Sequence, residues 1–152
     1  MLGDCAKSKD IKVNLLSTWL KDKEEKIQEI INKLIEESEK AKPIIVEGKK
    51  DVQALRELGV NGPILMVKTG GKSFLEASAE IEELGTGEII LLLDFERRGV
   101  EGTQRLQKDL ERTGIKVETE FWYGLRHIVG REICCIESLN TYLRTLRCQS
   151  VK

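Results

Sequence analysis

Beyond Pro43 the chain alternates short unbroken apolar runs with helical patterns, and that alternation narrows the folds open to it more than any other feature. Ile44-Ile45-Val46, Ile64 to Val67 and Glu88 to Leu93 are strand candidates, and Ile89-Ile90-Leu91-Leu92-Leu93 is the most apolar run in the chain. A strand with one wet face alternates apolar and polar residues, whereas one covered on both faces has no such need. Helical patterns lie between these runs. One spans Asp51 to Leu58 and is closed by Gly59. A second runs from Ser73 through Leu84, with Glu76 three residues after Ser73 completing a capping box. A third covers Val100 to Thr113 and is closed by Gly114. Covered strands interleaved with amphipathic helices predict an α/β fold with a central, mainly parallel four-stranded sheet between helical layers. The fourth strand is predicted over Ile115 to Trp122, where Val117, Thr119 and Phe121 alternate as on a half-covered edge. A last helix is predicted from about Ser138 to Leu146.

The segment before Pro43 differs in character. Leu16 to Lys42 is charge-dense, and Ile27, Ile30, Ile31, Leu34 and Ile35 fall at i, i+3, i+4, i+7 and i+8, one apolar stripe on a helix. Leu16, Trp19 and Leu20 extend the stripe upstream, and pairs such as Glu29 and Lys33 face solvent. Pro43 ends the helix. The expected organisation is an N-terminal helical extension over 1–42, a central domain over 43–130 and a C-terminal helical segment over 131–152 that packs on it. The stripe suits packing on the helix's own domain, and also a protein partner or self-association.

With 25 Lys and Arg against 26 Asp and Glu, the formal charge of the 152 residues is −1, which excludes a uniformly basic nucleic-acid coat but not a local basic patch. No run of about 18 apolar residues appears, so no membrane partner is expected. The N-terminus lacks the pattern of a secretory signal. Cys5, Cys134, Cys135 and Cys148 form no C-x-x-C pair and are expected as small buried residues of a cytoplasmic protein. The single histidine, His127, excludes a multi-histidine metal site.

In open α/β sheets, ligands bind beyond the carboxyl ends of the strands. The first strand runs into Glu47-Gly48-Lys49-Lys50-Asp51, the second into Lys68-Thr69-Gly70-Gly71-Lys72, and the third into Asp94-Phe95-Glu96-Arg97-Arg98-Gly99. If the chain stays extended after the third strand, Asp94 and Glu96 point the same way. With Glu47 on a neighbouring strand they form an oxygen-rich cluster whose repulsion Mg²⁺ would relieve, with Mn²⁺ as a substitute. Lys49, Lys50, Lys68, Lys72, Arg97 and Arg98 surround the cluster and suit a phosphate-bearing ligand. Thr69-Gly70-Gly71 lacks the full phosphate-loop pattern and reads as a turn.

These segments, Pro43 to Asp51, the glycine-bearing second loop and Leu91 to Gly99, resemble a Toprim domain over about residues 43 to 122. That module is shared by bacterial-type primases, type IA and type II topoisomerases, OLD-family nucleases, RecR-type repair proteins and the 5S rRNA maturase. The tail from Arg131 to Leu139 resembles small stand-alone Toprim proteins of archaea and some bacteria. The resemblance implies a Toprim-type three-layer sandwich, with Glu47 as general acid/base that can touch a metal, and Asp94 and Glu96 as the acidic pair holding Mg²⁺. Gly48, Asp51, Thr69, Gly70, Gly71 and Gly99 would shape the loops. Two departures bear on mechanism. The pair reads D-x-E where D-x-D is commoner, and Arg98 stands where many relatives carry a third acid. One metal is therefore better supported than two.

The expected function is a Mg²⁺-dependent enzyme acting on RNA or DNA by phosphodiester hydrolysis or nucleotidyl transfer. The alternative is a non-catalytic module that docks on nucleic acid or a ribonucleoprotein, and a weaker idea is a phosphatase of free nucleotides. Tyr123 and Tyr142, the only tyrosines, do not lie in a domain that could serve a topoisomerase, and the chain is too short for a complete primase.

Overall fold

The computed structural model describes residues 2–67 and 74–151. Helix α1 (Leu2–Glu39) is followed by β1 (Ile44–Val46), α2 (Lys49–Glu57), β2 (Ile64–Met66), α3 (Phe74–Glu82) and β3 (Glu88–Leu91). Then come α4 (Arg97–Arg112), β4 (Lys116–Glu118), α5 (Glu120–Val129), a single 3-10 turn over Ile136–Ser138, and α6 (Leu139–Val151). The sheet has the order β2-β1-β3-β4 with every pairing parallel. The α/β class and the four-stranded sheet are as the apolar runs predict.

Successive strand residues face opposite layers, so each unbroken run feeds two cores. Ile44, Val46, Ile90 and Leu92 pack with Ile27, Ile31 and Leu34 of α1, Leu55 of α2, Trp122 and Leu125 of α5, and Leu139, Leu143 and Leu146 of α6. Ile45, Ile89, Leu91, Leu93 and Val117 pack with Ala77 and Ile81 of α3 and Leu106 and Leu110 of α4. The two helical layers enclose the sheet. The stripe of α1 is thus committed to the core at Ile27, Ile31 and Leu34, while Leu15, Leu16 and Trp19 upstream remain exposed.

The predicted fourth strand over Ile115 to Trp122 is corrected. Only Lys116–Glu118 pairs with β3, and Thr119, with φ −121° and ψ 0°, stands at the start of a new helix. Phe121, Trp122, Leu125 and Val129 are its buried residues, a helical spacing that the alternation before Thr119 concealed. The first turn of α4 also begins earlier than Val100, at Arg97. The predicted cap Ser73 lies outside the described residues.

At the beginnings of the strands, Lys42 draws several elements together. Its ammonium is bonded to Glu37 at the end of α1, lies 3.1 Å from Glu88 of β3 and 4.0 Å from Glu118 of β4. Those hydrogen bonds push Lys42 up to about 12 and hold Glu37 down to about 2.

At the strand ends, α4 folds back against the chain that leads into it. A Cβ on Gly99 would stand 1.9 Å from the Asp94 carbonyl oxygen, and Asp94 backbone atoms leave it no side to escape. Gly99→Ala is expected to destabilise the protein by roughly 1–3 kcal/mol through forced overpacking, read as a lower urea midpoint. An unchanged midpoint would show that α4 can lift away from Asp94.

Candidate metal centre

Three short segments build the site: the turn after β1, the loop from β3 to α4, and the stretch before α6. Ile44 pairs with Ile90 and Ile45 with Leu91, so the two strands exit side by side and deliver Glu47 and Asp94 to the same place. Asp94 is half-buried, and its carboxyl is hydrogen-bonded to Glu47. Burial comes first among the causes that push Asp94 up to about 7, followed by that bond and by the negative charges of Glu47, Glu96 and Glu137. Glu96 is exposed and is the residue that precedes the first turn of α4. The chain does not stay extended through Asp94-Phe95-Glu96; it bends at Phe95 and Glu96, and Phe95 turns into the core. The acids still converge, because the bend turns the loop around Phe95 and not because of strand periodicity.

That loop is held from outside the strands. The Trp122 indole Nε1 donates to Leu93 O at 2.9 Å, the Phe95 amide donates to Cys134 O at 2.7 Å, and Arg126 Nε reaches Phe95 O at 3.4 Å. The Arg126 guanidinium also lies over the Trp122 ring, 5.6 Å from its centroid. Two donors from α5 and one carbonyl acceptor from the following segment therefore fix the backbone on both sides of Asp94.

Asp51 has a structural task that its sequence position understates. Its Oδ2 accepts from the Gly48 amide at 3.1 Å, closing the start of α2, and its Oδ1 accepts from the Glu137 amide at 2.9 Å. One buried carboxylate thereby ties α2 to the segment before α6, 86 residues away. Burial raises its pKa, and the two backbone hydrogen bonds oppose that shift.

Among the described residues, one set of three acid, histidine or cysteine ligand atoms lies mutually within 4.8 Å, and it is Asp51, Cys135 and Glu137. Glu47, Asp94 and Glu96 are not drawn that tightly together. The basin thus holds five carboxylates, Glu47, Asp51, Asp94, Glu96 and Glu137, which are electrostatically linked through Asp94 and Asp51. Glu137 and the cysteines have no sequence signal, because the chain separation hides them; Asp51, three residues after Gly48, is a legible capping position. Three of the cysteines are not the buried residues expected: Cys134 and Cys148 are exposed and Cys135 is half-buried, while the Cys5 side chain lies outside those described. The sulfurs of Cys134 and Cys135 lie 3.9 Å apart, and the neighbouring Cys135 together with burial and Glu96 pushes the Cys134 thiol up to about 11.

The basic groups occupy an unusual place. Lys49 and Lys50 open α2, and Arg97 and Arg98 open α4; all four are exposed. Cations at a helix N-terminus oppose the helix dipole by about 0.3–1 kcal/mol each. Two helices break that rule beside the same carboxylates, which is the arrangement an anionic ligand would compensate. Lys50 lies 3.7 Å from Glu137, and Arg97 pairs with Glu101 at 3.3 Å, both on the surface. Lys68, Thr69, Gly70, Gly71 and Lys72 lie outside the described residues.

Comparison with known proteins agrees with this architecture. A Toprim domain family model matches residues 42–119. A UPF0292 protein of Methanosarcina acetivorans is 37% identical over 123 residues, covering 81% of this chain and 83% of that one. A UPF0292 protein of Methanocaldococcus jannaschii is 40% identical over 120 residues, covering 78% and 91%. A solved structure of a protein from Aquifex aeolicus superposes with a TM-score of 0.57 at 26% identity, covering 72% of this chain and 94% of that one.

Because the pKa of Asp94 is raised, its charged form is penalised in the folded state. The penalty is fully present above about pH 7 and is relieved as pH falls from about 7 toward the ordinary aspartate value. Metal-free protein is therefore expected to gain thermal stability between about pH 8 and pH 5, and Asp94→Asn should lose that gain. A divalent cation bound at Asp94 would compete with the proton, so Mg²⁺ or Mn²⁺ is expected to raise the melting temperature more at about pH 8 than at pH 5.5 in calorimetry. Equal shifts at both pH values, or shifts that persist in Asp94→Asn, would remove Asp94 from the binding group.

Proposed function

The chain belongs to the Toprim domain family, among the UPF0292 proteins, and from that premise we propose that it is a Mg²⁺-dependent enzyme of nucleic acid, acting by phosphodiester hydrolysis or nucleotidyl transfer. The observation that carries this reading is the meeting of Glu47 and Asp94 at the ends of two adjacent parallel strands, close enough to share a hydrogen bond. Two carboxylates so placed beside Glu96 repel one another once ionised, and an all-oxygen donor set of this kind fits Mg²⁺, with Mn²⁺ as a substitute. Glu47, Asp94 and Glu96 would hold the ion. When bound, it would neutralise charge on phosphate oxygens.

The residues of the chain divide the remaining work. Glu47 takes and returns the proton of the attacking or leaving oxygen, and Asp94 beside it keeps that carboxyl oriented. Lys49, Lys50, Arg97 and Arg98 neutralise phosphate oxygens at the openings of α2 and α4, positioning a backbone without reading its sequence. Gly99 lets the opening of α4 approach Asp94, and Asp51 locks the opening of α2 through the Gly48 amide. A second reading, a docking module for nucleic acid or a ribonucleoprotein, draws support from Arg98, which stands where a third acid would add a metal ligand.

Labelled RNA and DNA incubated with Mg²⁺ or Mn²⁺ should be cleaved or extended. Glu47→Gln and Asp94→Asn should each reduce the rate by about 10²-fold or more. Turnover that survives the two substitutions together would eliminate the site. Retention of bound nucleic acid by an inactive parent and by Asp94→Asn alike would favour the docking module.

A further inference from the structure

Between the middle of α1 and the end of α5 lies a cleft of about 660 Å³. Trp19, Lys23 and Lys26 line one side, and Arg126, His127 and Arg131 line the other. Two acids, Asp22 and Glu132, also line it, so its four Lys and Arg residues leave a local charge of +2 in a chain whose total is −1. Each of these residues lies outside 42–119, the part matched by the Toprim model. The cleft is therefore an addition to the shared domain.

Trp19 is 57% exposed, whereas Trp122 is fully buried. The open indole offers a flat apolar face with a polar N–H tip, a side chain suited to stacking contacts. Lys23 braces it: the ammonium lies 5.0 Å from the Trp19 ring centroid, 5.4 Å from that of Tyr142, and 2.9 Å from Glu132. With its side chain only 10% exposed, Lys23 is a strut between α1 and the opposite wall, not a ligand for phosphate. Among the described residues, Lys26 has a loose surface pairing with Asp22 at 3.8 Å, worth little in water. It stays available to a polyanion, as do the exposed His127 and Arg131, while Arg126 is exposed but keeps its Nε on Phe95 O.

One wall of the cleft is bonded to the loop that carries Asp94 and Glu96. Arg126 lines it and also bonds to Phe95 O, and Phe95 separates Asp94 from Glu96. Glu132, on the same wall, is two residues from Cys134, whose carbonyl holds the Phe95 amide. An open aromatic face beside several cations is the combination that receives a base and its flanking phosphates, and it needs bases that are not stacked inside a duplex.

We propose that this cleft is the track of an unpaired nucleic-acid strand, with Trp19 stacking on a base and Lys26, Arg126 and Arg131 neutralising phosphates on the way to Glu47 and Asp94. The inference rests on the phosphoryl-transfer reading of the carboxylate site and narrows its substrate to single-stranded RNA or DNA.

Trp19 supplies its own reporter. In the full chain without divalent cations, a 12-nucleotide oligo-dT or oligo-rU should quench the tryptophan fluorescence, and a duplex of equal length should not. Either polymer satisfies the proposal, and the tighter one identifies the sugar. Read by anisotropy of a fluorescently labelled oligonucleotide, Trp19→Ala should weaken binding about fivefold or more. Lys26→Glu with Arg131→Glu should weaken it about tenfold or more and make the salt dependence shallower by about 1.4, for two lost contacts on a single strand. These residues are exposed, and an unchanged melting temperature would confirm that the variants fold. An unaltered Kd in the double variant, a duplex that binds as tightly, or poly-Glu that competes as well as the oligonucleotide would overturn the track. Glu47→Gln with Asp94→Asn should keep the quenching. If quenching persists but no cleavage is found in the parent, the chemistry fails and the track stands. If cleavage proceeds with a KM that Lys26→Glu and Arg131→Glu leave unchanged, the track fails and the chemistry stands.

Discussion

The upper end of this molecule depends on the parallel pairing of β1 with β3. These are the two inner strands, and the chain reaches β2 on one side of them and β4 on the other. The crossover connections therefore leave in opposite directions, and a crevice opens where they part. Because the two strands run level from Ile44 and Ile90, their exits cannot be far apart, and whatever side chains occupy those exits must share one small volume. Here both exits are acidic. The fold brings together charges that would separate if free to do so, and the interior cost is borne by two unbroken apolar strands covered on both faces.

Holding that arrangement requires material from beyond the sheet. The loop carrying Asp94 has little apolar substance of its own apart from Phe95, and its backbone is gripped by Trp122, Arg126 and Cys134. Asp51 then fastens the opening of α2 to the same late segment. The C-terminal third is thus a brace for the acidic basin as well as a cover for the core. α1 has a similar double character. Its later turns supply Ile27, Ile31 and Leu34 to the interior, while its earlier turns leave Trp19 and its neighbours outside.

Much of this was legible in the residues. Unbroken runs such as Ile89 to Leu93 announce two covered faces, and the alternate assignment of Ile44 and Val46 to one core and Ile45 to the other is what such runs imply. Glu47 and Asp94 were legible because strand ends are where open sheets place ligands. The failure at Phe121 and Trp122 has a physical cause: three alternating residues, Val117, Thr119 and Phe121, satisfy a period of two before a helical period can declare itself. Glu137 and Cys135 were illegible because their relation to Asp51 exists only through tertiary packing. The bend at Phe95 was illegible too, since it depends on hydrogen bonds from residues 27 to 39 positions later.

The cluster about Lys42 has a consequence for the molecule as an electrical object. Glu37, near 2, and Lys42, near 12, keep their charges throughout the range in which Asp94, near 7, changes its own. The Glu37–Lys42 pair at one end is constant, while Asp94 at the other varies with protons or bound cations. The dipole moment along the strands is therefore adjustable at the acidic end, and with it the torque that orients the whole body toward a charged polymer before any contact is made.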